Sequence, residues 1–140
     1  MEQNQNAAAN EMGINFYQKR ALNTAVFERN DYPLIALGEE VGEVMGKIAK
    51  FGRKNNMSVE QVINAIANPQ TSAVQELREQ VGKELGDVLW QWSVLADVLG
   101  FKAFDVASMN LSKLQDRQAR NVLNGEVLIV TGKQIGRAHV

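Results

Sequence analysis

The sequence predicts an all-α fold, an antiparallel four-helix bundle core with an extra short helix. Three observations carry this prediction. Apolar residues recur with a period of about 3.6 residues over most of the chain, helix start and stop signals separate these stretches, and the connections between them are short, which favours antiparallel neighbours. No stretch within these helices suggests a sheet.

A first helix is predicted over residues 14–29, where apolar side chains follow the helical period until Asn30 and Asp31 end it. A second helix is predicted from Leu34 to about Phe51. Pro33 precedes it, and proline favours the first turn of a helix because its missing N–H would lack a partner there anyway.

Ser58 and Gln61 form a capping-box pattern, which predicts the start of a short helix over residues 59–67. Asn68-Pro69 ends that helix. A long helix is predicted over residues 73–99, and Gly100 supplies its C-terminal stop.

A final helix is predicted over residues 105–123, with Asp105 as its N-terminal cap. We expect residues 1–13 to be disordered and 14–125 to form the helical domain. Residues 126–140 change character, because VLIV favours β structure. They are either a short strand or arm packed on a partner chain, or a tail unrelated to the fold, including a reading-frame artefact.

The composition excludes several classes of function. A net charge of −1 gives no electrostatic case for nucleic acid or an anionic membrane as partner. The apolar stretch 88–101 is interrupted by Gln91, Ser93 and Asp97, so we expect no membrane span. The first residues do not resemble a signal peptide, and the absence of cysteine excludes disulfides and thiolate sites. We therefore expect an intracellular, cytoplasmic protein.

Two pairs of carboxylates interrupt the apolar helices. Glu40 and Glu43 lie on the second helix, Glu84 and Asp87 on the long one, and residues three apart share a helix face. Carboxylates among apolar residues are costly unless a cation neutralises them. Because the only histidine is His139, near the end of the chain, the pattern favours Mg²⁺, with Mn²⁺ as a substitute, over zinc.

Each pair also has an ordinary explanation. Glu43 and Lys47 have the i, i+4 spacing of a solvated ion pair on a helix surface. Glu84, close in sequence to Lys83 and Arg78, is compatible with an exposed face.

Basic and amide side chains continue from the carboxylates at helical spacing. A bound polyphosphate would use such groups, because the metal meets some phosphate oxygens and the cations meet the others. The alternative for the last helix is a solvated outer face with Asp116 and Arg120. The candidate substrate-binding residues are Lys47, Lys50, Lys54, Asn110, Lys113 and Arg117.

The segments EEVGE, KELGDVLW and NLSKLQDR together resemble the MazG-type all-α nucleoside triphosphate pyrophosphohydrolases, whose signature is EExxE followed by ExxD. The resemblance extends from about Phe16 to Gly125. It implies a four-helix core assembled into homodimers or homotetramers, and Mg²⁺-dependent hydrolysis of a nucleoside triphosphate to the monophosphate and pyrophosphate. Relatives often continue with a Gly-Asp-Asn-Arg-like stretch where this chain has GEVLIV.

Residue by residue, the resemblance places this chain's carboxylates at the metal ligands and two basic residues at positions that meet phosphate. The metal ligands are Glu40, Glu43, Glu84 and Asp87, and the basic residues are Lys113 and Arg117. The expected nucleophile is a metal-activated water attacking the α-phosphate. Glu39 or Glu43 would orient it, and the spacing does not choose between them.

Two alternative functions belong to other classes of protein. A di-iron carboxylate bundle would need Glu-x-x-His motifs, which are missing from the helices. A non-catalytic helical oligomerisation or interaction module is the stronger alternative. Trp90 and Trp92 face different sides of one helix, so the apolar surface exceeds what a single small bundle hides, and we expect a homo-oligomer in either case.

Overall fold

A computed structural model describes residues 13–120 and, beyond them, the backbone of 122–123, 126–131 and 134–138. The described part contains five helices: α1 (Ile14–Leu22), α2 (Tyr32–Asn55), α3 (Val59–Ala67), α4 (Ser72–Val98) and α5 (Ala103–Ala119). The predicted helical character of this region is confirmed. The disorder predicted for the N-terminus falls almost wholly on residues 1–12, outside the described residues.

Three strands follow the helices: β1 (Val122–Leu123), β2 (Glu126–Thr131) and β3 (Gln134–Ala138). They pair antiparallel in the order β1-β2-β3. The last helix was predicted to reach Leu123 and instead ends at Ala119, because Val122 and Leu123 pair with β2. The β-prone C-terminal residues therefore add a small sheet to the predicted helices.

Helix α3 has the predicted bounds, and its capping box is formed in full. The Ser58 hydroxyl accepts a hydrogen bond from the Gln61 N–H at 3.1 Å, and the Gln61 side chain accepts one from the Ser58 N–H at 2.8 Å. Pro33 lies in the first turn of α2, as predicted. Gly100 follows α4 with a φ of +82°, a conformation that suits glycine, so the predicted stop is confirmed.

The second helix passes through Gly52 and continues to Asn55, four residues beyond the predicted end. Asn56 then adopts the left-handed conformation with a φ of 53°. The Met57 N–H donates to the Gly52 carbonyl at 2.9 Å. A Cβ at position 52 would lie 2.8 Å from the Met57 carbonyl oxygen. Gly52 therefore permits a close backbone approach and does not end the helix.

Two other predicted boundaries were wrong, the end of the first helix and the start of the last one. Helix α1 ends at Leu22, well short of Arg29, and the Thr24 hydroxyl donates to the Ala21 carbonyl at 2.7 Å in the turn that follows. Helix α5 begins at Ala103, so Asp105 lies in its first turn and is not its cap.

The first N–H groups of α5 are capped by side chains from α1. Ala103 donates to Gln18 Oε1 at 2.9 Å and Phe104 donates to Asn15 Oδ1 at 2.8 Å. The Gln18 amide nitrogen in turn donates to the carbonyls of Ser93 and Phe101 at 3.0 and 3.1 Å. One buried glutamine therefore holds α1, the end of α4 and the start of α5 together.

The most extensive helix contact is between α2 and α4. At one end of this pair, Val62 of α3 packs with Leu77 and Val81 of α4 in a buried apolar cluster. Near the other end, Ala36 of α2 and Val94 of α4 are buried. The carboxylate residues of both helices lie between these two apolar regions. None of the described helices has the length and apolar character required to cross a bilayer.

Candidate active site

Carboxylates from α2 and α4 meet between the two helices. Glu40, Glu84 and Asp87 each place a carboxylate oxygen within 4.8 Å of the others. Glu84 and Asp87 are one turn apart on α4, and Glu40 faces them from α2. We call these three residues the carboxylate cluster. The predicted meeting of carboxylates from both helices is therefore present in three of the four residues.

The donor set of the cluster suits a hard divalent cation. All three ligand atoms are carboxylate oxygens, which Mg²⁺ and Mn²⁺ prefer. Oxygens bound to one octahedral Mg²⁺ lie roughly 3 to 4 Å apart, given bonds of about 2.1 Å. The spacing of up to 4.8 Å is somewhat wider, so the three carboxylates would move closer together around a bound ion.

The electrostatics of the cluster also favour a cation. Partial burial raises the pKa of Glu40, and the negative charges of Asp87 and Glu84 raise it further, with smaller effects from Glu43 and Glu39. A raised pKa means that ionised Glu40 has a higher free energy in the folded protein than it has in water. A bound cation would offset that difference.

Lys47 contacts the cluster directly. Its Nζ lies 3.0 Å from Glu84 Oε1, in an ion pair that joins α2 to α4. In the sequence, the spacing of Glu43 and Lys47 had indicated an alternative ion pair for Lys47, one turn away on the same helix. No ion pair between Glu43 and Lys47 is formed in the described structure, where Lys47 reaches across to the other helix.

A basic cleft of about 450 Å³ adjoins the cluster along α2. It contains three lysines predicted from the sequence and one arginine that was not: Lys47, Lys50, Lys54 and Arg53. Glu43 also lines this cleft. The structure thus places Glu43 beside the lysines and does not bring its carboxylate into the group formed by Glu40, Glu84 and Asp87.

A second cleft, of about 670 Å³, lies at the N-terminal half of α2. Its walls include Phe27, Tyr32 and Trp90, and the rings of Phe27 and Tyr32 stack with centroids 5.7 Å apart. Glu39 lines this aromatic cleft, so Glu39 and Glu43 lie towards different clefts on either side of Glu40.

Three aromatic or polar residues around the cluster and the aromatic cleft were not among the predicted site residues: Tyr17, Thr24 and Trp90. The charge of Asp87, after the larger effect of burial, raises the pKa of Tyr17. Trp90 Nε1 donates to the Thr24 hydroxyl at 2.8 Å. Trp90 is three residues after Asp87, so helical spacing is a signal that could have placed it on the carboxylate face. Sequence patterns gave no comparable signal for Tyr17 or Thr24.

The predicted polar stripe of the last helix lies on α5. Asn110 and Lys113 are exposed and Arg117 is half-buried. Asp116 of the same helix and Arg120, the residue that follows the helix, form an exposed ion pair of 2.6 Å. Helix α5 packs against α1 and α4, and none of the three stripe residues contributes to the carboxylate cluster or the basic cleft.

These features place the chain among helical proteins that can hold a divalent cation between two helices. The family model of the MazG nucleotide pyrophosphohydrolase domain matches residues 32–122, and the chain belongs to this family. It is similar to the Gene 37 protein of Mycobacterium phage L5, with 30% identity over 123 residues that cover 81% of this chain and 96% of the phage protein. No solved structure gives a significant match.

Proposed function

We propose that the protein is a Mg²⁺-dependent nucleoside triphosphate pyrophosphohydrolase, which converts an NTP or dNTP to the monophosphate and pyrophosphate. The observation that carries the proposal is the carboxylate cluster between α2 and α4, in a chain of the MazG family. Its position between a basic and an aromatic cleft supports a substrate with a polyphosphate at one end and a nucleobase at the other.

Glu40, Glu84 and Asp87 would hold the cation, with Mn²⁺ as a substitute for Mg²⁺. When bound, the metal supplies positive charge to phosphate oxygens and lowers the pKa of a coordinated water. Glu39 and Glu43 line the clefts on either side of the cluster, and one of the two carboxylates would orient the attacking water and accept its proton.

The substrate would lie across both clefts. Lys50, Lys54 and Arg53 meet the β- and γ-phosphates in the basic cleft, and these cations also stabilise the charge on the leaving pyrophosphate. The nucleobase enters the aromatic cleft, where Phe27 and Trp90 offer ring surfaces. The α-phosphate then lies at the cluster between the two.

We further propose α1, α2, α4 and α5 as the four helices of the bundle core, and assembly into a homodimer or homotetramer. Apolar side chains on the outer faces of α2 and α4 support assembly. Leu34 and Met45 are 61% and 65% exposed, and Leu85 and Leu89 are also exposed. A second copy would cover these side chains. Light scattering that shows a monomer at micromolar concentration would contradict this.

One assay tests the enzymatic proposal. The protein is incubated with Mg²⁺ and a panel of NTPs and dNTPs, and monophosphate and pyrophosphate are measured. We expect both products in equal amounts from at least one nucleotide, and none from Asp87→Asn protein. Absence of turnover, together with no stabilisation by Mg²⁺ in thermal melts, would favour the non-catalytic oligomerisation module, for which the exposed apolar faces are the supporting observation.

A further inference from the structure

Lys47 of α2 forms an ion pair with Glu84, a residue of the carboxylate cluster that lies on the other helix, α4. Its Nζ lies 3.0 Å from Glu84 Oε1, and the side chains are 30% and 17% exposed. Among residues 13–120, this is the one ion pair that joins two helices. The pair uses an oxygen of a residue that would be needed to hold the cation.

We infer that Lys47 is the counter-ion of the carboxylate cluster before the metal binds, and that it moves to the phosphates of the substrate once the metal has taken Glu84. This inference rests on the proposed function. It assigns to Lys47 a coupling role that differs from that of the other cations in the basic cleft.

The charges explain why the contact would change. Without metal, Lys47 supplies one positive charge beside three carboxylates. A divalent cation brings two charges to the same place, neutralises Glu84 more fully and repels the ammonium group. Lys47 then loses its partner at the cluster.

The shape of the site gives Lys47 a second place to bind. Its side chain also lines the basic cleft, beside Lys50 and Arg53. A lysine ammonium is carried by a flexible four-carbon stem, so rotation of the side chain can move it from Glu84 towards a phosphate without movement of the helix. Metal binding and polyphosphate binding are therefore coupled through one side chain.

This coupling predicts effects of opposite sign in a single variant. In Lys47→Met, the metal no longer has to break an ion pair or approach a positive charge. We expect Mn²⁺ to bind the free protein about three- to tenfold more tightly. Pyrophosphate should bind the Mn²⁺-saturated variant about tenfold more weakly, because one phosphate contact is lost.

Calorimetry measures both steps with defined probes. Mn²⁺ alone is titrated into the metal-free protein, and Mn²⁺-pyrophosphate is then titrated into the Mn²⁺-saturated protein. Lys83→Met is the matched control, since Lys83 is exposed, adjoins Glu84 in sequence and changes the net charge equally. Lys47→Gln is measured as well, and circular dichroism verifies the helical content of each variant.

Tighter Mn²⁺ binding together with weaker pyrophosphate binding in both Lys47 variants, and not in Lys83→Met, supports the inference. Equal behaviour of the Lys47 variants and the control would overturn it. So would weaker Mn²⁺ binding in the Lys47 variants, which would make Lys47 a residue that only orients Glu84. Wild-type protein that binds no Mn²⁺ at all would overturn the metal site itself, an outcome distinct from the failure of the Lys47 inference alone.

Discussion

The Trp90 indole and the Thr24 hydroxyl, 66 residues apart in sequence, are joined by a hydrogen bond of 2.8 Å. The bond fixes the segment after α1 against α4, one turn from Asp87. Both residues line the aromatic cleft. The bond therefore holds one wall of the proposed nucleobase site in place.

Thr24→Val preserves the shape of the side chain and removes both the acceptor for the Trp90 indole and the donor to the Ala21 carbonyl. We expect a loss of about 0.5–1.5 kcal/mol in the free energy of unfolding. If the aromatic cleft receives the nucleobase, KM for the best nucleotide should rise about three- to tenfold with kcat little changed. Thr24→Ser is the control, because it retains the hydroxyl. Identical kinetics for Thr24→Val and Thr24→Ser would show that this hydrogen bond does not contribute to substrate binding.

Replacing Glu40 by Gln should stabilise the metal-free protein at neutral pH. Burial, then Asp87 and Glu84, raise the pKa of Glu40 above its unfolded value of 4.5. The stability contributed by this group is therefore fully present below pH 4.5 and is lost as the pH rises through the folded-state pKa. Because glutamine does not ionise, the Glu40→Gln variant does not lose this stability as the pH rises.

Thermal melts from pH 4.5 to 7 test this linkage. The Tm advantage of Glu40→Gln over wild type should be largest at pH 7 and should shrink towards pH 4.5. Added Mn²⁺ should raise the Tm of wild type and not that of the variant. Glu79→Gln, an exposed position on α4, serves as control. A variant less stable than wild type at pH 7 would contradict the repulsion that this argument requires.

Glu43 differs from the cluster residues in position, and its variant should differ in behaviour. Its carboxylate lies by the basic cleft and outside the group of three. Glu43→Gln should therefore retain Mn²⁺ affinity within about threefold, whereas Asp87→Asn should not. If Glu43 orients the water, turnover should fall by about a hundredfold or more. A comparable loss in Glu39→Gln, with full activity in Glu43→Gln, would transfer the role to Glu39.

The parts of this structure that sequence patterns predicted are those decided within one helix. The capping box of α3 and the i, i+3 pairing of Glu84 with Asp87 need only local spacing. The parts that failed depend on partners from other helices. Lys47 pairs across to α4, and Gln18 caps a helix 85 residues away. No local period encodes such contacts, because the packing angle between helices decides them.

Gly52 should be the glycine of α2 that tolerates a methyl group least. A Cβ there would lie 2.8 Å from the Met57 carbonyl oxygen and 3.4 Å from Val62 Cγ2. Gly52→Ala should lower the free energy of unfolding by about 1–3 kcal/mol, because the turn after α2 must shift. Gly82→Ala in α4 meets nothing within 4 Å and should stabilise by about 0.5–1 kcal/mol. Denaturant melts of both variants check the contrast, and equal effects would refute it.

We also propose that Lys113 and Arg117 of α5, which match phosphate-binding positions in the family resemblance, contact the triphosphate from another side of the site, and we call this pair the phosphate clamp. Residues 99–102 join α4 to α5, and a rise of about 1.5 Å per residue places Asp87 roughly 16 Å from that connection and Lys113 roughly 15 Å from it. The two residues thus lie at a similar level if the helices run antiparallel. Arg117, one turn further, is half-buried.

Lys113→Ala and Arg117→Ala should each lower kcat/KM by about tenfold to a hundredfold, because a charge-assisted phosphate contact is lost. Mn²⁺ binding to the free protein should be unchanged, since neither residue belongs to the carboxylate cluster. Arg120→Ala is the matched control, as Arg120 pairs with Asp116 on the exposed face. A solvated outer face predicts changes within about 0.5 kcal/mol for Lys113→Ala and Arg117→Ala as well. Unchanged kinetics for both Lys113→Ala and Arg117→Ala would remove the clamp and leave the carboxylate cluster standing.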